Sequence, residues 1–248
     1  MNEMQHGGRG REHFMMHGSP GGLAISVAGY TLDIESKTFE AGQQETFEFR
    51  ILDRTGRAVR DFDEQHGERM HLIVVRRDLV HYQHLHPSLG ADGFWSVALA
   101  LPEPGVYRAF ADFSVDGEAL TLGTDLTVSG NFGFVQLPGP SSIVQIEDYE
   151  VTLNAGALAA GTESSLAFRI GSSGRDVEQL DPYLGAQGHL VALREGDLAF
   201  LHIHPTGGAG AHLTFHAVFP SIGRYRMFLQ FAHKGRVSTA AFTVEVSP

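Results

Sequence analysis

The sequence predicts an all-β protein of two tandem sandwich domains, immunoglobulin-like or cupredoxin-like, that arose by internal duplication. Residues 30–128 recur as residues 149–246, at an offset of 119 at first and of 118 from Gly56 onward. Short segments alternate polar and apolar residues, which is typical of strands with one buried face. No window has the period of a long amphipathic helix.

The duplication divides the chain into four parts. Residues 1–21 are predicted to be a flexible leader rich in Met, His and Gly. Residues 22–129 and 143–248 are the two repeats, and each has about the 100 residues of an ordinary domain. Residues 130–142 are rich in Gly and Pro and show no alternation, so they are predicted to be a linker.

Several short strands are predicted in each repeat. In the first repeat they cover 46–51, 71–75, 95–101, 107–113 and 120–128. Turn signals such as Pro104-Gly105 and Asp116-Gly117 separate them. This spacing is typical of a β-sandwich, and it fits the immunoglobulin-like and the cupredoxin-like forms equally.

Composition excludes several classes of function. The net charge of −11 argues against nucleic acid and anionic lipid as partners. The absence of cysteine excludes disulfides, thiolate nucleophiles, iron–sulfur clusters and the blue-copper centre. An extracytoplasmic location is expected, because tandem sandwiches and Met/His-rich leaders are common there. The leader lacks the apolar segment of a secretory signal, so any signal segment lies outside the given chain.

Three histidines recur at the same spacing in both repeats. The first two are 13 residues apart in each copy, and the second begins an HxHP motif. Imidazole is the commonest protein ligand of zinc, copper and nickel. The predicted metal ligands are therefore His71, His84 and His86 in the first repeat, and His189, His202 and His204 in the second.

A β-hairpin between the first and second histidines brings each triplet together. If Arg77-Asp78 and Glu195-Gly196 are two-residue turns, the first and second histidines are direct cross-strand partners, with Cβ atoms about 4.5–5.5 Å apart. The third histidine follows two residues later, on the same face. Each hairpin is thus predicted to hold one ion independently, with metal–nitrogen bonds of about 2.0–2.1 Å.

Three functions are compatible with these triplets. The first is a metal-binding protein, with Cu(II) favoured and Zn(II) next, since the Irving–Williams order favours copper at nitrogen sites. The second is a tri-histidine metalloenzyme of the zinc hydrolase or lyase type, which is placed lower because Asp112 aligns with Gln230 and no acidic partner recurs. The third is a metal-free interaction or scaffold protein with structural histidines. The sequence does not predict the oligomeric state.

The two histidine motifs also carry a family resemblance. Met70-His71 with His84-Leu85-His86-Pro87, and Gly188-His189 with His202-Ile203-His204-Pro205, resemble the signature of secreted bacterial two-repeat proteins of unassigned function. These are similar to YtkA-like and CopC-like β-sandwich domains. These domains are tied to the handling of metal, chiefly copper, and the resemblance implies a sandwich fold and export. A partner protein in metal handling is a further expectation.

Overall fold

The computed structural model describes residues 21–65, 67–183, 186–203 and 205–248. The described residues form strands and turns and contain no helix, so none of them belongs to a helix that could cross a membrane. The predicted leader, apart from Gly21, lies outside the described residues, and so do His66 and His204.

The first repeat consists of two five-stranded sheets. One has the order β1-β2-β4-β8-β7 and the other the order β3-β10-β9-β5-β6. Strand β3 pairs with β10 in parallel, and the remaining neighbours are antiparallel. The strands are β1 Ser26–Val27, β2 Tyr30–Ile34, β3 Thr38–Phe39, β4 Gln44–Leu52, β5 His71–Arg76, β6 Gln83–Leu85, β7 Ser88–Leu89, β8 Trp95–Ala100, β9 Gly105–Val115 and β10 Glu118–Val128.

The second repeat has the same plan. Its sheets have the orders β11-β12-β14-β19-β18, with β15 beside β14, and β13-β21-β20-β16-β17. The strands are β11 Ile143–Ile146, β12 Tyr149–Asn154, β13 Leu158–Ala159, β14 Glu163–Ser172, β15 Arg175–Asp176, β16 Gly188–Arg194, β17 Phe200–Ile203, β18 Pro205–Ala209, β19 His212–Val218, β20 Gly223–His233 and β21 Arg236–Ser247.

This strand order is that of an immunoglobulin-like sandwich, in which one sheet carries strands A, B, E and D and the other G, F and C. Each repeat also contains a tyrosine corner at the start of the F-type strand. The hydroxyl of Tyr107 donates to the carbonyl of Glu103, and that of Tyr225 to the carbonyl of Ser221, both at 2.9 Å. The prediction of two tandem all-β sandwiches is confirmed.

The polar–apolar alternation of each repeat builds its own core. In β4, Phe47, Phe49 and Ile51 are buried, whereas Glu48 between them is exposed. Strand β5 differs, because every one of its residues is buried. One face of β5 therefore packs in the first core, and the other must be covered by something else.

The second repeat covers that face. A separate apolar cluster joins the repeats, and its rings stack in pairs: Phe110 on Phe200 at 5.0 Å and Tyr82 on Phe228 at 4.1 Å between centroids. The buried members of this inter-repeat cluster are Ile73, Val75, Leu79, Phe110, Leu137, Val191, Leu193, Leu198, Phe200 and Phe228. The two hairpins thus face each other.

Each of these hairpins pairs two residues away from the predicted register. Ile73 lies opposite His84 in the first repeat, and Val191 lies opposite His202 in the second. The prediction that the first and second histidines of a triplet are direct partners is therefore wrong. Because the shift is even, each side chain keeps its predicted face.

The loops at the hairpin tips explain the shift. They are longer than the predicted two-residue turns, and in them Leu79 and Leu198 have a left-handed backbone, with φ of 67° and 61°. Such strain costs about 1–3 kcal/mol at a residue other than glycine. Both leucines are buried in the inter-repeat cluster, and burying a leucine stabilises by about 1.5–3 kcal/mol. Packing between the repeats therefore sets the register.

Candidate metal centre

The first triplet comes together at one end of the β5–β6 hairpin. His71 begins β5, His84 is the middle residue of β6, and His86 follows that strand. Their ring centroids are 5.1 Å (71–84), 5.2 Å (71–86) and 4.8 Å (84–86) apart. Two imidazoles on one tetrahedral ion, with bonds of about 2.0–2.1 Å, have centroids about 5 Å apart. The triplet has the dimensions of a metal site.

Hydrogen bonds determine which ring nitrogen of each histidine carries the lone pair. Nε2–H of His71 donates to the backbone carbonyl of Gln65 at 3.2 Å, which leaves the lone pair on Nδ1. Nδ1–H of His84 donates to Oε1 of Gln230 at 2.7 Å, which leaves the lone pair on Nε2. The amide of Gln230 is oriented by its own donation to Thr239 at 3.4 Å.

The two lone pairs that remain point at the same place. Nδ1 of His71 and Nε2 of His84 lie 2.9 Å apart. Two acceptors at this distance repel each other unless a cation lies between them, whereas two nitrogen ligands of one ion lie about 2.9–3.4 Å apart. Nε2 of His86 is buried and has no hydrogen-bond partner among the described residues, so it is available as a third ligand.

The second repeat adds two rings to the same cluster. His202 lies 5.2 Å from His71 and 5.9 Å from His84, and His189 lies 6.0 Å from His84, all between centroids. His189 and His202 thus lie beside the first triplet, and the expectation that each repeat holds its own ion stays a prediction. His189 and His202 are 6.2 Å apart, farther than any pair of the first triplet.

The second repeat follows the hydrogen-bonding scheme of the first. Nε2–H of His189 donates to the backbone carbonyl of Tyr183 at 3.0 Å, as that of His71 does to Gln65. Nδ1 of His202 donates to the carboxylate of Asp112 at 2.7 Å. The equivalent histidines therefore carry their lone pairs on equivalent atoms.

Sequence reasoning missed two partner residues. Asp112 is the cross-strand neighbour of His71, and Gln230 is that of His189. Each one binds the second histidine of the opposite repeat, and so the bonds cross between the domains. The available signal was a polar residue at the same place in two otherwise apolar segments, 109–113 of β9 and 227–231 of β20. The second repeat has a glutamine in place of the aspartate, but both side chains accept a hydrogen bond from a histidine.

Burial keeps the cluster neutral. Desolvation, and after it the electrostatic interaction with His202, lower the pKa of His71 to about 3 and that of His86 to about 4. The same two causes hold the pKa of His84 well below its ordinary value. Since metal ligands must be deprotonated, the first triplet is ready to bind an ion at neutral pH.

Asp112 adds a negative charge beside these neutral rings. Burial opposes the ionisation of its carboxyl group, but hydrogen bonds from His202 and Thr121 hold its pKa below the ordinary value. Thr121 donates to this carboxylate at 2.7 Å. A buried carboxylate next to three neutral imidazoles favours a cation in the cluster.

Comparisons with known proteins give a family and distant structural likenesses. Residues 25–130 and 144–248 each match the family model described as a domain of unknown function (DUF8832). No curated protein matches the chain. The YtkA-like and CopC-like resemblance is not among these findings and stays a prediction.

Three solved structures illustrate the structural likeness. The adhesin FdeC of Escherichia coli is 14% identical, with a TM-score of 0.32; the match covers 91% of this chain and 66% of that one. InvD of Yersinia pseudotuberculosis is 14% identical, with a TM-score of 0.30 and coverage of 90% and 59%. A chimeric titin Z1Z2 tandem is 16% identical, with a TM-score of 0.23 and coverage of 87% and 95%. This chain spans less than two thirds of the FdeC and InvD chains.

Proposed function

This chain belongs to the DUF8832 family of domains of unknown function, and we propose that it is an extracytoplasmic protein that binds a divalent metal ion in its histidine cluster. Cu(II) is the favoured ion and Zn(II) the next, because copper binds more tightly than zinc at nitrogen sites and imidazole suits both. The extracytoplasmic location rests on the family resemblance of the HxHP motifs.

One observation carries the proposal. Nδ1 of His71 and Nε2 of His84 are 2.9 Å apart, and hydrogen bonds to Gln65 and Gln230 make both of them acceptors. While both of these bonds are kept, a proton could bridge the two nitrogens only if one ring carried two protons, and burial lowers the pKa of both rings. A metal ion satisfies both lone pairs without a protonated ring.

The metal-free scaffold is the second candidate. The observation in its favour is the pair of hydrogen bonds between the repeats, from His84 to Gln230 and from His202 to Asp112, both 2.7 Å. Such bonds hold the domains together whether or not an ion is present. In this alternative, Nδ1 of His71 carries the proton and donates to His84, and the bond to Gln65 is lost.

Metal content separates these candidates. The protein is purified without added metal, stripped with a chelator and titrated with Cu(II) and then Zn(II), followed by elemental analysis. A form lacking residues 1–20 is tested in parallel, because the leader has Met and His residues of its own. We expect one ion per chain in both forms, and no ion after His84→Ala. The matched control is His216→Ala, whose side chain is exposed on β19.

A wild-type protein without residues 1–20 that binds no ion would contradict metal binding and leave the scaffold. Two ions per chain would support the expectation of one site in each repeat. The enzyme alternative is weaker because three of the five described rings are buried: His71 and His189 are each 1% exposed and His84 is 8% exposed. A hydrolase or lyase needs an open coordination position that its substrate can reach.

A further inference from the structure

We propose that His202 of the second repeat is the fourth ligand of the ion held by His71, His84 and His86 of the first repeat, with Asp112 as its positioning residue. Metal binding and the docking of the two repeats are then one linked equilibrium. This inference rests on the proposed function, and it adds the second repeat and an inter-domain carboxylate to the site.

His202 lies beside the three ligands of the first repeat, nearer to His71 than to His84, from whose ring centroid it is 5.9 Å away. Its ring centroid is 5.2 Å from that of His71, the same as the distance from His71 to His86. The rings of His71 and His202 are inclined at 78°, close to the 83° between His71 and His86. Four imidazoles around one ion complete the tetrahedral shell that zinc prefers.

Hydrogen bonding directs the correct nitrogen of His202 toward the ion. Nδ1–H donates to Asp112 at 2.7 Å, so the lone pair is on Nε2. Metal-bound histidines commonly donate their other N–H to a carboxylate, which fixes the ring and makes it a stronger ligand. Asp112 is itself held by Thr121 at 2.7 Å, so it is a fixed partner.

The geometry also explains why His202 rather than His189 is assigned. Both belong to the second repeat, but the ring of His189 is 6.4 Å from that of His71, whereas the ring of His202 is 5.2 Å from it. The acceptor for Nε2–H of His189 is a backbone carbonyl. The shorter distance to His71 therefore favours His202, whose Nδ1–H has a carboxylate as its acceptor.

The bond from His202 to Asp112 crosses between domains, and so does the bond from His84 to Gln230. The site is complete only when the repeats are docked. An ion that binds the docked repeats more tightly than the separated repeats must raise the docking equilibrium constant by the ratio of the two affinities.

Ligand counting tests the fourth ligand. X-ray absorption of the zinc-loaded full chain should show four imidazoles, and Cu(II) affinity is measured by competition with a chelator. His202→Asn removes the ligand while its amide still donates to Asp112, so folding is preserved. We expect three imidazoles and a fall in affinity of about 10–1000-fold. The control is His216→Asn in the same repeat. This variant should still show four imidazoles and bind Cu(II) with unchanged affinity.

Asp112→Gln tests the positioning residue, because Gln is the residue that the second repeat has at the equivalent position. We expect four imidazoles still and an affinity lower by up to about 10–100-fold, because Gln keeps a hydrogen-bond acceptor for His202 but removes the negative charge that makes it a stronger ligand. If Asp112 had only a structural role, Asp112→Gln would lower the stability of the fold. At temperatures at which the variant is folded, its affinity for Cu(II) would then equal that of the wild type.

The outcomes separate the two proposals. If the wild-type protein binds no ion, the proposed function fails. If it binds an ion through three imidazoles, and His202→Asn and Asp112→Gln keep wild-type affinity, the proposed function stands and this inference is overturned.

Discussion

At the scale of single residues, the tautomer of each histidine is set by a neighbour that is not itself a ligand. Gln65 and Tyr183 contribute backbone carbonyls, and Asp112 and Gln230 contribute side chains. A backbone acceptor can come from any residue type, so it cannot be predicted from the sequence. The side-chain acceptors are visible in the sequence, but only the fold shows that each one serves the opposite repeat.

Gln230→Leu should weaken the metal site without removing a ligand. The change leaves Nδ1–H of His84 buried without its acceptor, which costs about 1–3 kcal/mol of stability and about 10–100-fold in metal affinity. Gln230→Glu is the matched variant, because it keeps the acceptor and adds a charge, and it should bind Cu(II) at least as tightly as the wild type. Equal affinity in the two variants would show that the tautomer of His84 does not matter.

Acid should destabilise the metal-free protein through the same histidines. Folding lowers the pKa of His71 from 6.5 to about 3, so between these values the unfolded chain binds a proton that the folded one does not. Stability is therefore complete above pH 6.5 and falls as the pH drops toward 3, by about 2 kcal/mol for this group between pH 7 and 5.

Urea unfolding in the presence of a chelator at several pH values measures this loss. His71→Gln should give a shallower dependence on pH, because one of the groups responsible is gone. The metal-loaded protein should release its ion over the same range, since protonated imidazole cannot bind metal. A stability that stays constant from pH 7 to 5 would show that the histidines are not buried in neutral form.

At the scale of elements, the hairpin tip is held by a buried ion pair. Arg76 binds Asp78 through two hydrogen bonds of 2.9 Å, and both side chains are at most 1% exposed. Asp78 also accepts from the backbone N–H of Val135 in the predicted linker. The hairpin that carries the first triplet is thereby fixed to the segment between the repeats.

Asp78→Ala should therefore destabilise the protein strongly. Removing one partner of a buried pair leaves an uncompensated charge, which costs about 3–5 kcal/mol of stability. The remaining contact of Arg76 with Glu103 offsets part of this cost. Asp33→Ala is the control, because the ion pair of Asp33 with Arg50 is about as short as that of Asp78 with Arg76. Both of its side chains are more than a third exposed, and exposed pairs contribute about 0–1 kcal/mol. Chemical denaturation measures both, and equal effects would contradict the role of burial.

The same elements show which features of the structure can be predicted from the sequence. Period-two alternation in segments such as β4 is enough to predict strands, and the duplication is enough to predict two sandwiches. The faces of His71, His84 and His86 were also predictable, because a strand alternates strictly. The register was not, because Leu79 and Leu198 adopt strained backbones that only the inter-repeat cluster stabilises. The uninterrupted apolar run after His71 was the one available signal, since it is typical of a strand that is covered on both faces.

At the scale of the whole molecule, the two repeats are a single unit joined by an apolar cluster with the histidines beside it. The two rings of the Phe110–Phe200 pair stack across the interface, and Gly21 extends this contact through a backbone bridge to Phe200. Since the proposed ligands come from both sides, the metal affinity must depend on residues that touch no ligand but hold the repeats together.

Phe228→Ala tests this dependence. Phe228 is 3% exposed and stacks on Tyr82 of the other repeat at 4.1 Å, so its loss removes about 3–5 kcal/mol of packing from the interface. Phe215→Ala is the matched control, because this residue is equally buried but lies within the core of the second sandwich. Both variants should lower the melting temperature. At temperatures where both remain folded, only Phe228→Ala should weaken Cu(II) binding, by about tenfold for each 1.4 kcal/mol by which docking is weakened. Equal affinities in the two variants would show that the ion is held within one repeat, and that docking of the repeats has no part in binding it.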